Sequence, residues 1–357
     1  MTNKKLWFSA LVLALLHAVV AAAAFFAPYD PAEQHRDVPF APPSRLHFAD
    51  AQGRLHLRPY VCAWSNQASG VGAARYGEDC SRAASLRFFV RSQTAAETWH
   101  LFGTDGPARA FLLGTDDYGR DQLSRLLFGG QVSLFAGLLA TALSLGLGLL
   151  LGGIAGYFGS WLDDTIMRGA EIFMALPWIY LLFAVRAFLP LHVGPRQSFF
   201  LLVGVIGLTG WARPSRLVRG VILSAKERDF VRAARGFGAS SAYILRRHLL
   251  PETYGVVLTQ AALLIPQCIL AEVTLSFLGL GVGEPISSWG NMLASLQKYY
   301  VLVSYWWMFI PGMALIPVFL LYNTLADALL GRFKIAEAHA AHAPGWRRLR
   351  RVFQEAL

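Results

Sequence analysis

The chain has 357 residues, of which 55% are hydrophobic and only 15% charged. Soluble globular domains carry about 25% charged residues, so there is too little charge here to clothe a water-soluble globule, and a membrane protein is implied. The net charge of +10 invites a nucleic-acid reading, but the charge is segregated: nine Lys or Arg against three acids from Arg213 to Glu252, six against two after Gly331, and eleven of each from Ala27 to Gly130. Basic residues placed beside apolar segments set membrane topology, and no nucleic-acid partner is expected.

Crossing a hydrocarbon core takes about 20 helical residues. Leu6 to Ala27 supplies 22 without a charge. Its length exceeds the roughly 7–15-residue core of a signal peptide, and Phe25, Phe26 and Pro28 make a poor cleavage site. Residues 1–27 are therefore read as a retained first crossing, with Lys4 and Lys5 holding the N-terminus in the cytoplasm. Residues 28–125 then lie outside. Leu46 to Phe48 and Leu55 to Val61 flank a turn cluster of Asp50, Gln52 and Gly53, and Ser85 to Arg91 offers a third strand, so a small β-containing subdomain is expected here. Cys62 and Cys80 fall in this external segment, where an oxidising compartment permits a bridge worth roughly 3 kcal/mol by loop closure. The alternative is two unpaired thiols. Cys268 lies in an apolar helix.

Leu126 to Leu162 is the next charge-free stretch, and Gly148, Gly152 and Gly156 recur on one of its faces, where a second backbone can approach closely. Such a stripe serves static packing or a sliding contact. Ile172 to Leu191, which holds Arg186, and Gln197 to Ala212 are weaker crossings. Thr253 to Gly283 carries only Glu272, and Tyr299 to Ala326 carries no charge. Six crossings follow, in an all-α polytopic protein whose basic tail, 331–357, returns to the cytoplasm with the N-terminus.

Between the fourth and fifth crossings, residues 213–251 form a basic elbow. Glu227 to Phe237 reads as a short amphipathic helix with Phe230, Ala233, Ala234 and Phe237 at helical spacing; Gly238 stops it, and Ser240 or Ser241 caps a second helix ahead of Pro251. Two short helices with paired alanines make a compact knob that could seat in a groove of another protein.

The elbow resembles the EAA loop of ABC importer permeases, with Ala233, Ala234, Gly238, Leu250 and Pro251 at the matching positions and Arg232 where the family has its leading Glu. Leu112 to Leu134 is similar to the approach to the second span in the C-type subunits of the dipeptide, oligopeptide and nickel permeases, through Gly114, Thr115, Asp116, Gly119, Arg120, Asp121, Ser124 and Arg125. Met167 to Pro177 resembles the start of the third span, with Glu171 replacing an Asp. Ala271 to Leu293, and then Trp306, Trp307, Pro311 and Gly312, continue the likeness. It covers about two thirds of the chain; residues 43–106 look like an insertion, and the Asp-Pro customary after the last span is missing.

The resemblance implies a type I ABC importer permease fold with a five-helix core over residues 126–330. It also implies a bacterial inner-membrane location, a homologous second permease, two ABC ATPases and a periplasmic substrate-binding protein. Arg232, Ala233, Ala234, Gly238, Ala239, Leu250 and Pro251 would then form the loop that docks on an ATPase, and the cargo would be peptides or similar small solutes moved by alternating access. The chain holds no phosphate-cradling G-x-x-x-x-G-K-[ST] string, so ATP and Mg belong to the partner subunits, and no cofactor or enzymatic activity is expected of this chain.

Nine scattered His form no legible metal pattern. Glu272 is costly at membrane depth and either lines the translocation path or is satisfied by neighbouring hydroxyls or amides. Arg186 is expected to snorkel to the outer interface, and Pro177, Pro266 and Pro317 to kink their helices. A secondary transporter would show several buried ionisable groups and broken midplane helices, and a membrane hydrolase a paired nucleophile and base; neither pattern is present.

Overall fold

The computed structural model describes residues 2–49, 54–67, 75–91, 99–188 and 193–341, with side chains placed from residue 4 to residue 332. The chain opens with α1 (Thr2–Ala21) and the short α2 (Ala23–Phe26), and then enters a four-stranded antiparallel sheet. The strands β1 (His47–Ala49), β2 (Leu55–Asn66), β3 (Tyr76–Arg91) and β4 (Trp99–Asp105) pair in sequence order. Asp50, Gln52 and Gly53 lie outside the described residues. The sheet has one strand more than the sequence reading: β4 packs Phe102 beneath Val61, Ala84 and Leu86, in a small core that also takes Leu123 from the first turn of the next helix. Between β2 and β3 the register jumps from Cys62↔Ala83 to Ala63↔Asp79. The extra residues on β3 include Cys80, which is carried opposite Cys62, and the two form a disulfide with Cα atoms 4.5 Å apart.

The helical core follows: α3 (Gln122–Phe158), α4 (Ser160–Ala175), α5 (Trp178–Ala187), α6 (Pro195–Thr209) and α7 (Ala212–Ala225). The elbow comprises α8 (Asp229–Gly236), α9 (Ser241–Ile244), a π-turn (Leu245–Leu249) and α10 (Leu250–Glu252). Beyond it lie α11 (Tyr254–Phe277), α12 (Trp289–Ala294), α13 (Tyr299–Ser304) and α14 (Ile310–Ala341). Among the described residues, four helical segments are long and apolar enough to cross a membrane: Lys4–Ala21, Gln122–Phe158, Tyr254–Phe277 and Trp306–Arg332. The fifth apolar segment is a bent pair, α4 and α5 meeting at 99°, and α6 is a shorter apolar helix.

The single third crossing expected from Ile172 to Leu191 is therefore corrected to a broken one. Pro177 has no N–H to donate and drives Leu176 out of the helical region, to φ −82° and ψ 135°. By contrast, α11 and α14 run without a break through Pro266 and Pro317. The last helix continues past Gly331, where the tail was expected to begin, and α3 starts four residues ahead of the anticipated boundary at Leu126. Arg186 does not snorkel outward. It is buried, and its Nε donates to the Leu280 carbonyl at 2.6 Å, because the loop after α11 folds back over α5 and offers an acceptor inside the protein.

The glycine stripe of α3 has a partner within the chain. A Cβ at Gly148 would meet Pro214, one at Gly152 would run into the Ser215 carbonyl, and one at Gly156 would crowd the Arg219 carbonyl at 3.0 Å. All three contacts are on α7, so the stripe lets two backbones touch where lipid supplies no hydrophobic drive. Ser144 adds a hydrogen bond from its hydroxyl to the Gly207 carbonyl of α6 at 2.9 Å. Overpacked sites cost about 1–3 kcal/mol, so Gly152→Leu should lower the thermal midpoint of the purified chain by several degrees. Gly146→Leu, on an open face of the same helix with nothing within 4 Å, should leave it unchanged. Equal midpoints for the two variants would contradict this packing.

Candidate functional site

The elbow is built on α7. Val218, Ile222 and Ala225 turn toward α3, and against them pack Val231 of α8, Ile244 of α9 and Leu249 of the π-turn, all buried, with Ala234, Ala239 and Leu250 partly buried alongside. Gly238 takes a positive φ of 80°, which ends α8 and reverses the chain. Ser240 then caps α9 by accepting from the Tyr243 N–H at 3.3 Å. The first elbow helix is shorter than the sequence suggested, beginning at Asp229 because Arg228 is extended and serves as its N-cap.

Charged groups fasten the elbow to its supports. Arg219 of α7 pairs with Asp163 of α4, Lys226 donates to the Gly156 carbonyl at 3.2 Å, and Arg228 bridges to Glu252 at 2.7 Å. Arg235 sits over the Tyr157 ring at 5.5 Å. A helix of eight residues held this way has one face committed to its own subunit and one face open. On the open face Phe237 is 92% exposed, with Phe230, Arg232, Ala233, Arg246 and Arg247 exposed around it. Of the elbow residues singled out in the sequence, Ala234, Ala239 and Leu250 thus build the knob. Arg232, Ala233 and Gly238 lie on its surface, and Pro251 opens α10. Arg232 has an exposed ion pair with Glu227 at 3.6 Å.

At the other end of α3 lies a second constellation. The turn before the helix places Thr115 to donate its hydroxyl to the Val38 carbonyl and accept from the Ala41 N–H, both at 2.7 Å. Gly119 has φ +73° and lies so close to the His35 carbonyl that no Cβ fits. Asp116 accepts from the Tyr118 and Arg120 N–H groups at 2.9 Å and from Arg120 Nε at 2.7 Å. Arg120 and Arg125, both buried, reach across to Glu284 at 2.5 and 3.1 Å. This clamp fastens the approach to α3 onto the loop after α11. Burial opposes the charge of Glu284, but Arg125 and Arg120 more than offset it and hold its carboxyl below the usual range.

Asp121, the N-cap of α3, accepts from the Ser124 N–H and hydroxyl at 2.8 and 2.7 Å. Burial is the main cause that pushes its carboxyl up to about 6, and the Asp116 charge adds to it.

Glu272 is fully buried inside the chain. The Ser276 hydroxyl donates to it at 2.7 Å. Ser133 and Ser288 lie beside it, and each accepts a backbone N–H, from Trp289 at 3.0 Å and Asn291 at 3.1 Å, leaving both hydroxyl protons free to point at the carboxylate. These serines join α3, α11 and the loop before α12, and Glu272 faces that joint. His47 stands within 4.8 Å of the Cys62 and Cys80 sulfurs, but the bridge consumes both thiolates that a metal would need.

Sequence reasoning named most members of the clamp without their shared partner. Glu284 lies 164 residues from Arg120, and no local signal couples them. The exposure of Phe237 was hidden too, because a stripe at helical spacing looks the same whether it turns inward or outward.

The family described as "Binding-protein-dependent transport system inner membrane component" matches residues 148–335, which hold the glycine stripe, the elbow, Glu272 and most of α14. The chain belongs to that family, and it is a membrane permease component of an ABC importer that leaves ATP hydrolysis to separate subunits. It is 36% identical to the dipeptide transport system permease protein DppC of Bacillus subtilis over 62% of this chain and 68% of that one. A putative peptide permease protein of Brucella suis is 35% identical over 68% of this chain and 76% of its own length. The oligopeptide transport system permease protein OppC of Bacillus subtilis is 32% identical over 65% and 74%. Among solved structures, the inward-facing MetNI methionine ABC transporter is similar over 58% of this chain and 95% of that chain, at 18% identity and a TM-score of 0.43.

Two outcomes follow for the clamp. Removing one charge from a buried pair costs about 3–5 kcal/mol, so Asp116→Asn, which strips Arg120 of a buried partner, should lower thermal stability in detergent far more than the exposed Asp164→Asn. For Asp121, a folded-state value above the ordinary 3.8 means that its contribution is fully present below that pH and is lost as pH rises through about 6. Asp121→Asn keeps a capping acceptor but cannot titrate. The stability of the wild type relative to this variant should therefore fall between those two pH values, by up to roughly 3 kcal/mol, and a flat difference in pH-dependent melting would refute it.

Proposed function

We propose that this permease carries peptides or similar small solutes across a bacterial inner membrane and supplies one half of an alternating-access pathway. Its elbow is gripped by one of two ABC ATPases, a homologous permease supplies the other half, and a periplasmic binding protein delivers cargo. ATP and Mg act on the ATPases, and this chain makes no covalent bonds. The observation that carries the reading is the two-sided elbow: Val231, Ile244 and Leu249 lock it to α7, while Phe237 and Ala233 stay open among arginines. A lever needs both a rigid attachment and a free contact face.

Both termini are placed in the cytoplasm, together with the elbow, where an excess of Lys and Arg belongs. Residues 28–125, with the sheet and the disulfide, then lie in the periplasm, a compartment that permits such a bridge. Cargo as peptide is supported by the relatives named for dipeptide and oligopeptide transport. Arg232 leaves the docking face basic, which suits an ATPase groove carrying acids. Glu272, enclosed by serines in this conformation, would meet the pathway only when the joint between α3, α11 and α12 opens.

Phe237→Ser and Ala233→Trp alter exposed atoms alone, so each should change the stability of the isolated subunit by no more than about 0.5 kcal/mol. In the assembled importer, reconstituted with its ATPases, permease partner and binding protein, both should abolish peptide uptake and weaken recovery of the ATPase with the permease. Normal uptake by both variants would sink the elbow as the docking site.

A further inference from the structure

The β-sheet gathers exposed apolar side chains at one end. On β1 and β2 these are Phe48, Leu55 and Leu57, the last of them 104% exposed; on β3 and β4 they are Phe88, Phe89 and Trp99. The register puts them together. Ala49 pairs with Leu55, Tyr60 with Ser85, and Arg91 with Trp99, so the start of β2, the close of β3 and the start of β4 share an end. Large apolar side chains left exposed together at one end of a water-facing sheet mark a contact site.

Three observations identify what covers it. The patch adjoins the end of the first crossing: the Phe89 ring is 6.3 Å from that of Phe25 in α2, and His100 Nδ1 lies 2.6 Å from the Ala27 carbonyl that closes α2. The first crossing is itself peripheral. His17 of α1 faces Tyr322 of α14 at 3.3 Å, whereas Trp7, Phe8, Leu11 and Leu15 are exposed on the outer surface of the chain. Finally, the stretches 54–58 and 87–91 carry four arginines and no acid. Aromatic and aliphatic tips beside arginines, at the depth where a spanning helix ends, match the layer where acyl chains give way to phosphate headgroups.

We propose that this end of the sheet is a foot resting in the headgroup layer of the bilayer beside α1, with Leu57, Phe89 and Trp99 entering the lipid. The disulfide then has a mechanical use: by tying β2 to β3 it keeps both halves of the foot in register. The proposal requires that the chain spans a bilayer, and it does not depend on cargo or on ATPase docking; uptake assays and lipid-contact assays can therefore fail separately.

The test uses the full chain with Cys268→Ser, which leaves only the bridged Cys62 and Cys80. A single cysteine is introduced as Leu57→Cys, Phe89→Cys or Trp99→Cys, or as Arg75→Cys at the opposite end of the sheet, about 30 Å along the strands. Each variant carries an environment-sensitive fluorophore in nanodiscs of phosphatidylethanolamine and phosphatidylglycerol. Lipids brominated near the headgroup should quench positions 57, 89 and 99 several-fold more than position 75, and aqueous iodide should quench in the reverse order. The proposal is overturned if iodide quenches 89 and 99 as strongly as 75 while brominated lipid does not. It is equally overturned if those positions become protected only when the second permease or the binding protein is added. All four sites are already exposed, so the disulfide should form in each, as a mass change on reduction shows; a variant lacking it is set aside and the remaining foot positions decide.

Discussion

The close approach of α3 to α7 is the constraint on which the rest of the structure hangs. Without side chains at Gly148, Gly152 and Gly156, the backbone of α7 lies directly on α3, with carbonyls of Ser215 and Arg219 in the contact. That contact fixes where Val218, Ile222 and Ala225 stand, and these three form the floor on which the elbow is packed. The bond from Lys226 to the Gly156 carbonyl forms because the two helices are so near, and the ion pair of Arg219 with Asp163 ties α7 to α4 beside that contact. Membrane helices lack a hydrophobic drive toward each other, so small residues and polar links must supply the cohesion. Here both are concentrated along one seam.

The polar groups of this protein follow a division of labour set by burial. At one end of α3, Asp116, Arg120 and Arg125 are drawn out of water, where removal of any charge leaves another stranded, and Glu284 closes the group from its half-exposed rim. At the other end, Arg232, Arg246 and Arg247 remain in solvent, where single ion pairs contribute little. The first group fixes a geometry, and the second presents a field to whatever approaches. Glu272 belongs with the first: its serine neighbours bind three segments of chain around one carboxylate.

Much of the architecture was legible from local pattern. Charge-free stretches located the long helices, Gly238 and Ser240 marked the elbow turn, and the two cysteines between the first and second long helices foretold a bridge. What was not legible depends on contacts distant in sequence. The break at Pro177 could be read as a gentle kink until the 99° angle was known. Arg186 reads as an interfacial residue unless one knows that the loop at Leu280 folds over it. The fourth strand has no alternation of its own strong enough to stand out, and it is held in place by Phe102 against residues from β2 and β3. Glycine spacing announced a close neighbour, but nothing in the spacing said that the neighbour was α7 of the same chain.

The length of α3 has a mechanical corollary. Its 37 residues span about 55 Å at 1.5 Å per residue, well beyond a hydrocarbon core of roughly 30 Å. One unbroken rod therefore reaches both aqueous layers, bearing the clamp on one tip and the seat of α7 near the other. Because the backbone runs from one tip to the other without a hinge, a sideways push at the second tip is passed along a single hydrogen-bonded helix toward the first.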